Sequence, residues 1–266
     1  MNKFIFYYFG LVLLISSVAY APWIFASYNM FQYDLVFIFI IIGGTSPTIA
    51  ALIVAKIEFE KKGAKYLFSQ FFRRGFSKSW FLVAFLIPLA LAAFSVSFWS
   101  IARGSYTLEL TRLFDFPLAL IASFLMNVWE EIGWRGYALP ELQKKYNALI
   151  SSVIVGVFWA LWHWPHFAVK DSIMAINYNN FLLFIVFMPL YSISYTWLYN
   201  SSNGSLFITS LYHASTNASN TILFFESNAS SSIFPFYFLT VILFALIIVS
   251  AFKPDSLSLK KRAILD

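Results

Sequence analysis

The chain has 266 residues, of which 60% are hydrophobic, 21% aromatic and only 11% charged. A soluble domain carries about 25% charged residues, so this composition excludes an ordinary water-soluble protein and indicates one that is solvated by lipid. The net charge of +6 lies in short connections between apolar stretches, so we expect no nucleic-acid partner, and the absence of cysteine excludes disulfides, thiolate metal ligands and thiol nucleophiles.

Long apolar stretches dominate the chain, and about 20 such residues span a bilayer as a helix. The predicted spans are Phe4–Phe25, Leu35–Ala55, Trp80–Ile101, Phe116–Leu139, Ala148–Ala168, Phe181–Tyr199, Ser205–Phe225 and Ile233–Phe252. The expected fold class is therefore all-α, a polytopic integral membrane helical bundle of about eight transmembrane helices in a single domain, residues 1–266. Ala19-Tyr20-Ala21 imitates a signal-peptide cleavage site, but Pro22 disfavours cleavage and predicts a retained first helix.

The basic residues predict the orientation of the bundle. If the N-terminus lies inside, fourteen of the eighteen Lys and Arg residues fall on the inner side, against three on the outer side, with Arg135 inside a span. Because cytoplasmic connections carry the excess of Lys and Arg, this asymmetry predicts a multi-pass protein of the cell membrane with both termini in the cytoplasm.

The longest inner connection, residues 56–79, mixes seven basic residues with aromatic and aliphatic ones. This composition predicts a cytoplasmic amphipathic basic segment that lies as a helix on the inner leaflet. A plain solvated loop is the alternative for the same segment.

Ionisable side chains are costly inside a bilayer and mark functional positions there. Two adjacent acids, Glu130 and Glu131, fall within the fourth span, and all three histidines, His163, His166 and His213, fall within later spans. This concentration is the functional signal of the sequence, and it predicts a polar site enclosed by spans four to seven.

Helix geometry assigns different surroundings to the two acids. Glu131 and Arg135 are four residues apart, so they share a helix face and can form an ion pair, whereas Glu130 points about 100° away. His213 and Asn217 also share a face. At 1.5 Å per residue, Glu130, His163 and His213 lie roughly 12–18 Å from the inner ends of their spans, which predicts one common layer.

Three short motifs resemble those of a known family. Glu130-Glu131-Ile132-Gly133-Trp134-Arg135 resembles the EExxxR motif of the CAAX-protease and bacteriocin-processing (CPBP, or Abi) family, whose members include the type II CAAX prenyl endopeptidases. Trp159-Ala160-Leu161-Trp162-His163 resembles the second motif, an aromatic residue followed four positions later by His, and His213-Ala214-Ser215-Thr216-Asn217 resembles the third, HxxxN. The ordered set covers roughly residues 116–225, which we expect to be the catalytic core.

The resemblance implies an intramembrane endopeptidase that acts on a peptide or on a prenylated or lipid-associated protein at the lipid bilayer. The implied roles fall on six residues: Glu130 as the base that activates water, His163 assisting it, Glu131 and Arg135 fixing the site, and His213 and Asn217 binding the oxyanion. Their cavity is expected to open to the cytoplasm or sideways into lipid.

Two positions depart from the family pattern. Trp159 stands where the second motif often has Phe, and Phe167 stands where the prenyl endopeptidases carry Asn. These departures resemble the broad prokaryotic branch more than a dedicated CAAX processor.

Other chemistries remain open at the sequence level. No cofactor is favoured, but Glu130, His163 and His213 are residue types that also bind catalytic zinc, so a metalloprotease is an alternative. A proton-coupled transporter would also bury acids and histidines, although no internal repeat is present. A non-catalytic role in bacteriocin self-immunity or as a scaffold is the third alternative.

Overall fold

The computed structural model describes residues 3–30, 35–103, 110–178, 180–225 and 230–264. Every regular element in these ranges is helical, which confirms the predicted all-α class. The helices are α1 Lys3–Ser27, α2 Val36–Glu58, α3 Gly63–Ser69, α4 Ser79–Arg103, α5 Phe116–Gly133, α6 Leu139–Gln143, α7 Ala148–Trp162, α8 Trp164–Ala168, α9 Ile173–Tyr178, α10 Phe181–Ser201, α11 Leu206–Asn220 and α12 Ser230–Phe252.

Seven helical stretches of the described chain are long and apolar enough to cross a membrane. They match seven of the eight predicted spans. The remaining one, expected at Ser205–Phe225, does form a helix, since α11 is continued by a π-helical turn at Thr221–Phe225. It differs in character because it carries many Ser, Thr and Asn residues and is almost wholly buried, packed against α4 and α5. A helix enclosed by other helices does not need a lipid-facing surface.

The fourth span is longer than predicted. α5 runs without a break through a π-helical turn, Trp134–Ala138, into α6, so the helical stretch extends to Gln143 instead of ending at Leu139. Every residue from Glu130 to Gln143 is buried. The acidic motif therefore lies inside the bundle, next to a π-helical turn, and such turns are frequent at functional sites.

Small residues let α2 approach its two neighbours closely. A side chain at Gly43 would overlap the ring of Tyr20 on α1, and one at Gly133 on α5 would overlap the backbone of Pro47. The hydroxyl of Thr48 also donates a hydrogen bond to the carbonyl of Trp129. Close backbone contact of this kind is how helices associate in lipid, and here it holds the acidic end of α5 in place.

Polar side chains cap the helices that build the remaining walls. Asn147, Asn180 and Ser205 precede α7, α10 and α11, and each accepts a hydrogen bond from a backbone N–H in the first turn. Such caps satisfy donors that have no partner within the helix and stabilise it by about 1 kcal/mol. The caps therefore define the first residues of α7, α10 and α11.

The predicted helix over residues 56–79 is shorter than expected. α2 takes the first residues, α3 covers seven more between two 3₁₀ turns, and the chain is irregular from Arg73 to the start of α4. The buried side chain of Gln70 donates to the carbonyl of Gly136 and accepts from the hydroxyl of Tyr199. These hydrogen bonds attach the segment to the bundle. Its position on the inner leaflet and the cytoplasmic location of the two termini stay predictions.

Candidate functional site

The two glutamates lie in the last turn of α5 and have different partners, as their spacing predicts. Glu131 Oε1 is 3.0 Å from Arg135 Nη1, and both side chains are fully buried. The Arg135 guanidinium lies 4.3 Å from the ring centroids of Trp159 and Tyr195, so it is sandwiched by two aromatic residues. The predicted ion pair is confirmed. Because both charges are buried, removing either side chain would leave the other as an uncompensated buried charge.

Glu131 also connects α5 to α11. Its Oε1 atom is 2.9 Å from Nδ1 of His213, which is 4% exposed. A carboxylate oxygen can only accept, so Nδ1 of His213 carries the hydrogen and Nε2 is directed away from Glu131. Sequence reasoning paired Glu131 with Arg135 alone, since helical spacing gives no information about contacts between helices.

Glu130 is held by a different residue. Its Oε2 atom accepts a hydrogen bond of 2.8 Å from the indole Nε1–H of Trp159 on α7. The backbone carbonyl of Trp159 in turn is 2.7 Å from Nδ1 of His163. Since a carbonyl can only accept, this contact fixes the His163 tautomer with its hydrogen on Nδ1 and leaves Nε2 for other chemistry.

Trp159 is thus the centre of the site. Its ring lies with its centroid 6.1 Å from that of His163 and 5.3 Å from that of His213. It therefore contacts or bonds to residues of all three motifs. The common layer predicted for Glu130, His163 and His213 agrees with this convergence around one indole ring.

A cavity of about 400 Å³ adjoins this cluster. Its walls come from α5, α7, α10 and α11 and from α9, which agrees with a site enclosed by spans four to seven. Asn127, His163 and Asn217 provide polar groups, and the remaining lining is mainly Met, Phe, Tyr and Trp. Glu130 is 8% exposed and lies behind this lining, next to Trp159.

The cavity lies toward one end of the bundle. Its α5 residues, from Ala122 to Asn127, all precede Glu130, whereas Asn217 on α11 and Thr221 in the π-helical turn that continues it both follow His213. Because α5 and α11 run in opposite directions in the predicted topology, both sets lie on the side away from the basic connections. Whether the cavity opens to the cytoplasm or sideways into lipid stays a prediction, as does the orientation of the bundle.

The alternative zinc site can be judged from the side chains themselves. Among the described residues, no group of three or more His, Asp and Glu side chains is arranged to hold a metal ion. One oxygen of Glu130 is bonded to Trp159, and Nδ1 of each motif histidine is bonded elsewhere. Within the described part of the chain, Glu130, His163 and His213 do not form a preassembled ligand set. Zinc dependence therefore stays an alternative for experiment to test, and we derive no step through a metal.

Two site residues escaped the sequence analysis. Trp159 was noted as the aromatic position of the second motif and was given no role, although its indole N–H is the group that holds Glu130. Ser192 on α10 accepts a hydrogen bond of 3.4 Å from Nη2 of Arg135. The only sequence signal for Ser192 was a hydroxyl within an apolar span, and such residues are common in membrane helices.

Together, the fold and the buried acid–histidine cluster define a polytopic helical membrane protein with a polar site inside the bundle. Comparisons with known proteins show what the central part of the chain is similar to. A family model described as Type II CAAX prenyl endopeptidase Rce1-like matches residues 111–219, which contain all three motifs. The chain is therefore similar to this family over that region, which is somewhat less than half of its length.

Two curated relatives are each similar to part of the chain. The chain is 31% identical over 114 residues to CAAX prenyl protease 2 of Methanococcus maripaludis, which covers 41% of this chain and 42% of that protein. It is 26% identical over 148 residues to lysostaphin resistance protein A of Staphylococcus haemolyticus, which covers 54% of this chain and 39% of that protein. The matches thus span less than half the length of either relative.

Proposed function

We propose that this protein is an intramembrane endopeptidase that hydrolyses a peptide bond of a membrane-associated peptide. The observation that carries the proposal is that the two adjacent acids have different partners. Glu131 is committed to Arg135 and His213, whereas Glu130 is held at one oxygen by Trp159 beside a cavity of about 400 Å³. A buried carboxylate next to a cavity that can admit substrate and water is what general-base catalysis requires.

In this mechanism Glu130 accepts a proton from water while the water oxygen adds to the carbonyl carbon of the scissile bond. The carbonyl π electrons move onto oxygen and form a tetrahedral oxyanion. When the C–N bond breaks, the electrons return to the carbonyl and the proton held by Glu130 passes to the leaving amine. His163, whose Nδ1–H is bonded to the Trp159 carbonyl, assists by accepting a hydrogen bond from the water at Nε2.

Preorganised donors near the cavity stabilise the oxyanion. Asn217 lines the cavity and can donate through its amide, and His213 can donate through Nε2–H when its ring is doubly protonated and paired with Glu131. Arg135, Glu131 and His213 are joined by direct contacts, so the donor geometry is fixed before the reaction. No resident metal is required by this proposal.

The lining suggests the class of substrate. Apart from its polar edge, the cavity is lined by side chains such as Met188, Phe184 and Phe187, which suit an apolar side chain or an isoprenoid. The archaeal relative named CAAX prenyl protease 2 supports a prenylated peptide as substrate. An unprenylated membrane peptide is the alternative, because Phe167 stands where the prenyl endopeptidases carry Asn.

Cleavage by the purified full-length chain in detergent tests the proposal. Matched prenylated and unprenylated peptides are incubated with the wild type and with the Glu130→Gln, His163→Ala and His213→Ala variants, with and without a chelator. We expect cleavage that all three substitutions abolish and that the chelator leaves unchanged. The control is Glu141→Gln, which should keep activity. Glu141 is also a buried acid, and it lies in α6, further along the helical stretch that carries Glu130.

Three outcomes would contradict the proposal in different ways. Wild-type rates in all three variants would remove the assigned site. Loss of activity on chelation, with recovery on adding zinc, would replace the metal-free mechanism. Proton-coupled flux in liposomes by a protein without peptidase activity would favour a transporter.

A further inference from the structure

A second cavity lies away from the acid–histidine cluster. It has a volume of about 400 Å³ and lies where the irregular segment after α3 meets the starts of α4 and α11. Three cations line it, Arg73, Arg74 and Lys78, and no carboxylate does. None of the ion pairs formed within the described part of the chain involves these three side chains.

The backbone that carries the cations is held in place. The amide of Asn203 donates a hydrogen bond of 2.9 Å to the Arg74 carbonyl, and Nζ of Lys260 lies 3.3 Å from the Gly75 carbonyl. Gly75 has a φ of +87°, a conformation that residues with a side chain rarely adopt. The turn is therefore a defined structure that positions the cations, and no acid among the residues that line the cavity offsets their charge.

An apolar groove of about 220 Å³ adjoins the cationic cavity. Its lining side chains are all apolar: Leu120, Ile121, Phe124, Leu125, Phe207 and Leu211. Phe207 lines both depressions, and its ring centroid lies 5.5 Å from that of Phe124 and 6.0 Å from that of Phe81. The two depressions therefore form one composite site with a cationic end and an apolar end.

We propose that this composite site binds one anionic phospholipid, with its phosphate at Arg73, Arg74 and Lys78 and an acyl chain in the groove past Phe207. The shape and charge match an amphiphile with a negative headgroup. The cationic end lies where α4, a membrane-spanning helix, begins, which is the level of lipid headgroups. A peptide would bring backbone polar groups into a groove that has no partner for them.

Native mass spectrometry of the full-length protein in detergent tests this proposal. Phosphatidylglycerol and phosphatidylcholine with identical acyl chains are titrated in parallel, and inorganic phosphate is added as a competitor. We expect phosphatidylglycerol to bind more tightly than phosphatidylcholine, and phosphate to compete weakly because it cannot fill the groove. Equal binding of the two lipids would overturn the proposal, as would complete displacement of the lipid by phosphate at equal concentration.

Charge removal localises the lipid. The triple variant Arg73→Gln, Arg74→Gln, Lys78→Gln should weaken phosphatidylglycerol binding by about fivefold for each cation removed. It should weaken phosphatidylcholine binding much less, because the choline ammonium offsets the charge of the phosphate. Phe207→Ala should weaken the binding of both lipids, because it shortens the shared apolar wall. Wild-type affinity for phosphatidylglycerol in the triple variant would contradict the assignment.

A matched control excludes an effect of net charge alone. Lys56, Lys253 and Lys261 are exposed and lie outside the composite site. Their combined substitution by Gln removes the same charge and should leave phosphatidylglycerol affinity within about twofold of the wild type. A loss as large as that of the site variant would show that the lipid responds only to overall charge.

Discussion

Replacing Trp159 by Phe removes one hydrogen bond from the base and keeps an aromatic ring in the same position. The indole N–H donates to Glu130 Oε2 over 2.8 Å, and phenylalanine cannot replace this donor. Phe is also the residue that the family often carries at this position, so the variant should fold. The substitution therefore asks how much a fixed orientation of Glu130 contributes to peptide hydrolysis.

The expected magnitude follows from the type of hydrogen bond. A hydrogen bond to a charged group contributes about 1.5–3 kcal/mol. A change of about 1.4 kcal/mol in the barrier alters the rate tenfold, so kcat/KM should fall by about 10- to 150-fold. Most of this loss should lie in kcat, because Glu130 acts on the attacking water and not on the bound peptide.

Trp162→Phe provides the matched control. Trp162 lies on the same helix, is equally buried, and donates a 2.8 Å hydrogen bond from its indole to the hydroxyl of Ser46. Both variants are compared with the wild type by initial rates on a quenched fluorescent peptide, after thermal unfolding has verified that each is folded. The reasoning is refuted if Trp159→Phe stays within twofold of the wild type, or if Trp162→Phe loses as much activity.

Three further substitutions test the scaffold and the oxyanion site. Glu131→Gln leaves the fully buried Arg135 without its counter-charge and should lower the free energy of unfolding by about 3–5 kcal/mol. Denaturant or thermal unfolding measures this change, and an unchanged midpoint would show that the ion pair does not stabilise the bundle. Gly156→Ala would force a methyl group into the α10 backbone and should cost about 1–3 kcal/mol, whereas Gly10→Ala, which faces open space, should unfold like the wild type. Asn217→Ala should lower kcat by about 10²–10³-fold with little change in KM, and an unaltered kcat would exclude it as an oxyanion donor.

Hydropathy and helical spacing predicted the parts of the molecule that depend on local sequence. Seven spans follow directly from their apolar composition, and the Glu131–Arg135 ion pair follows from a separation of four residues. The segment that became α11 was located from its apolar residues, as the other spans were. Its polar side chains did not predict that it would be enclosed by other helices, since burial depends on how the helices pack.

Contacts between helices could not be predicted in this way. The hydrogen bonds from Trp159 to Glu130 and between His213 and Glu131 join residues that are 29 and 82 positions apart. Spacing tells which residues share a face, but it does not tell which faces meet. The π-helical turn at Trp134–Ala138 was also missed, because a prediction based on 3.6 residues per turn assumes a regular helix.

The central claim is that Glu130 activates a water molecule and does not itself attack the peptide. It is tested most directly by a single turnover in ¹⁸O-labelled water, with the protein in excess over the peptide, followed by mass spectrometry of the product and of the protein. We expect one ¹⁸O in the new carboxylate of the product, none in Glu130, and no cleavage by Glu130→Gln. Label in Glu130 with unlabelled product would show that Glu130 is a nucleophile, and cleavage by Glu130→Gln at the wild-type rate would show that the base lies elsewhere.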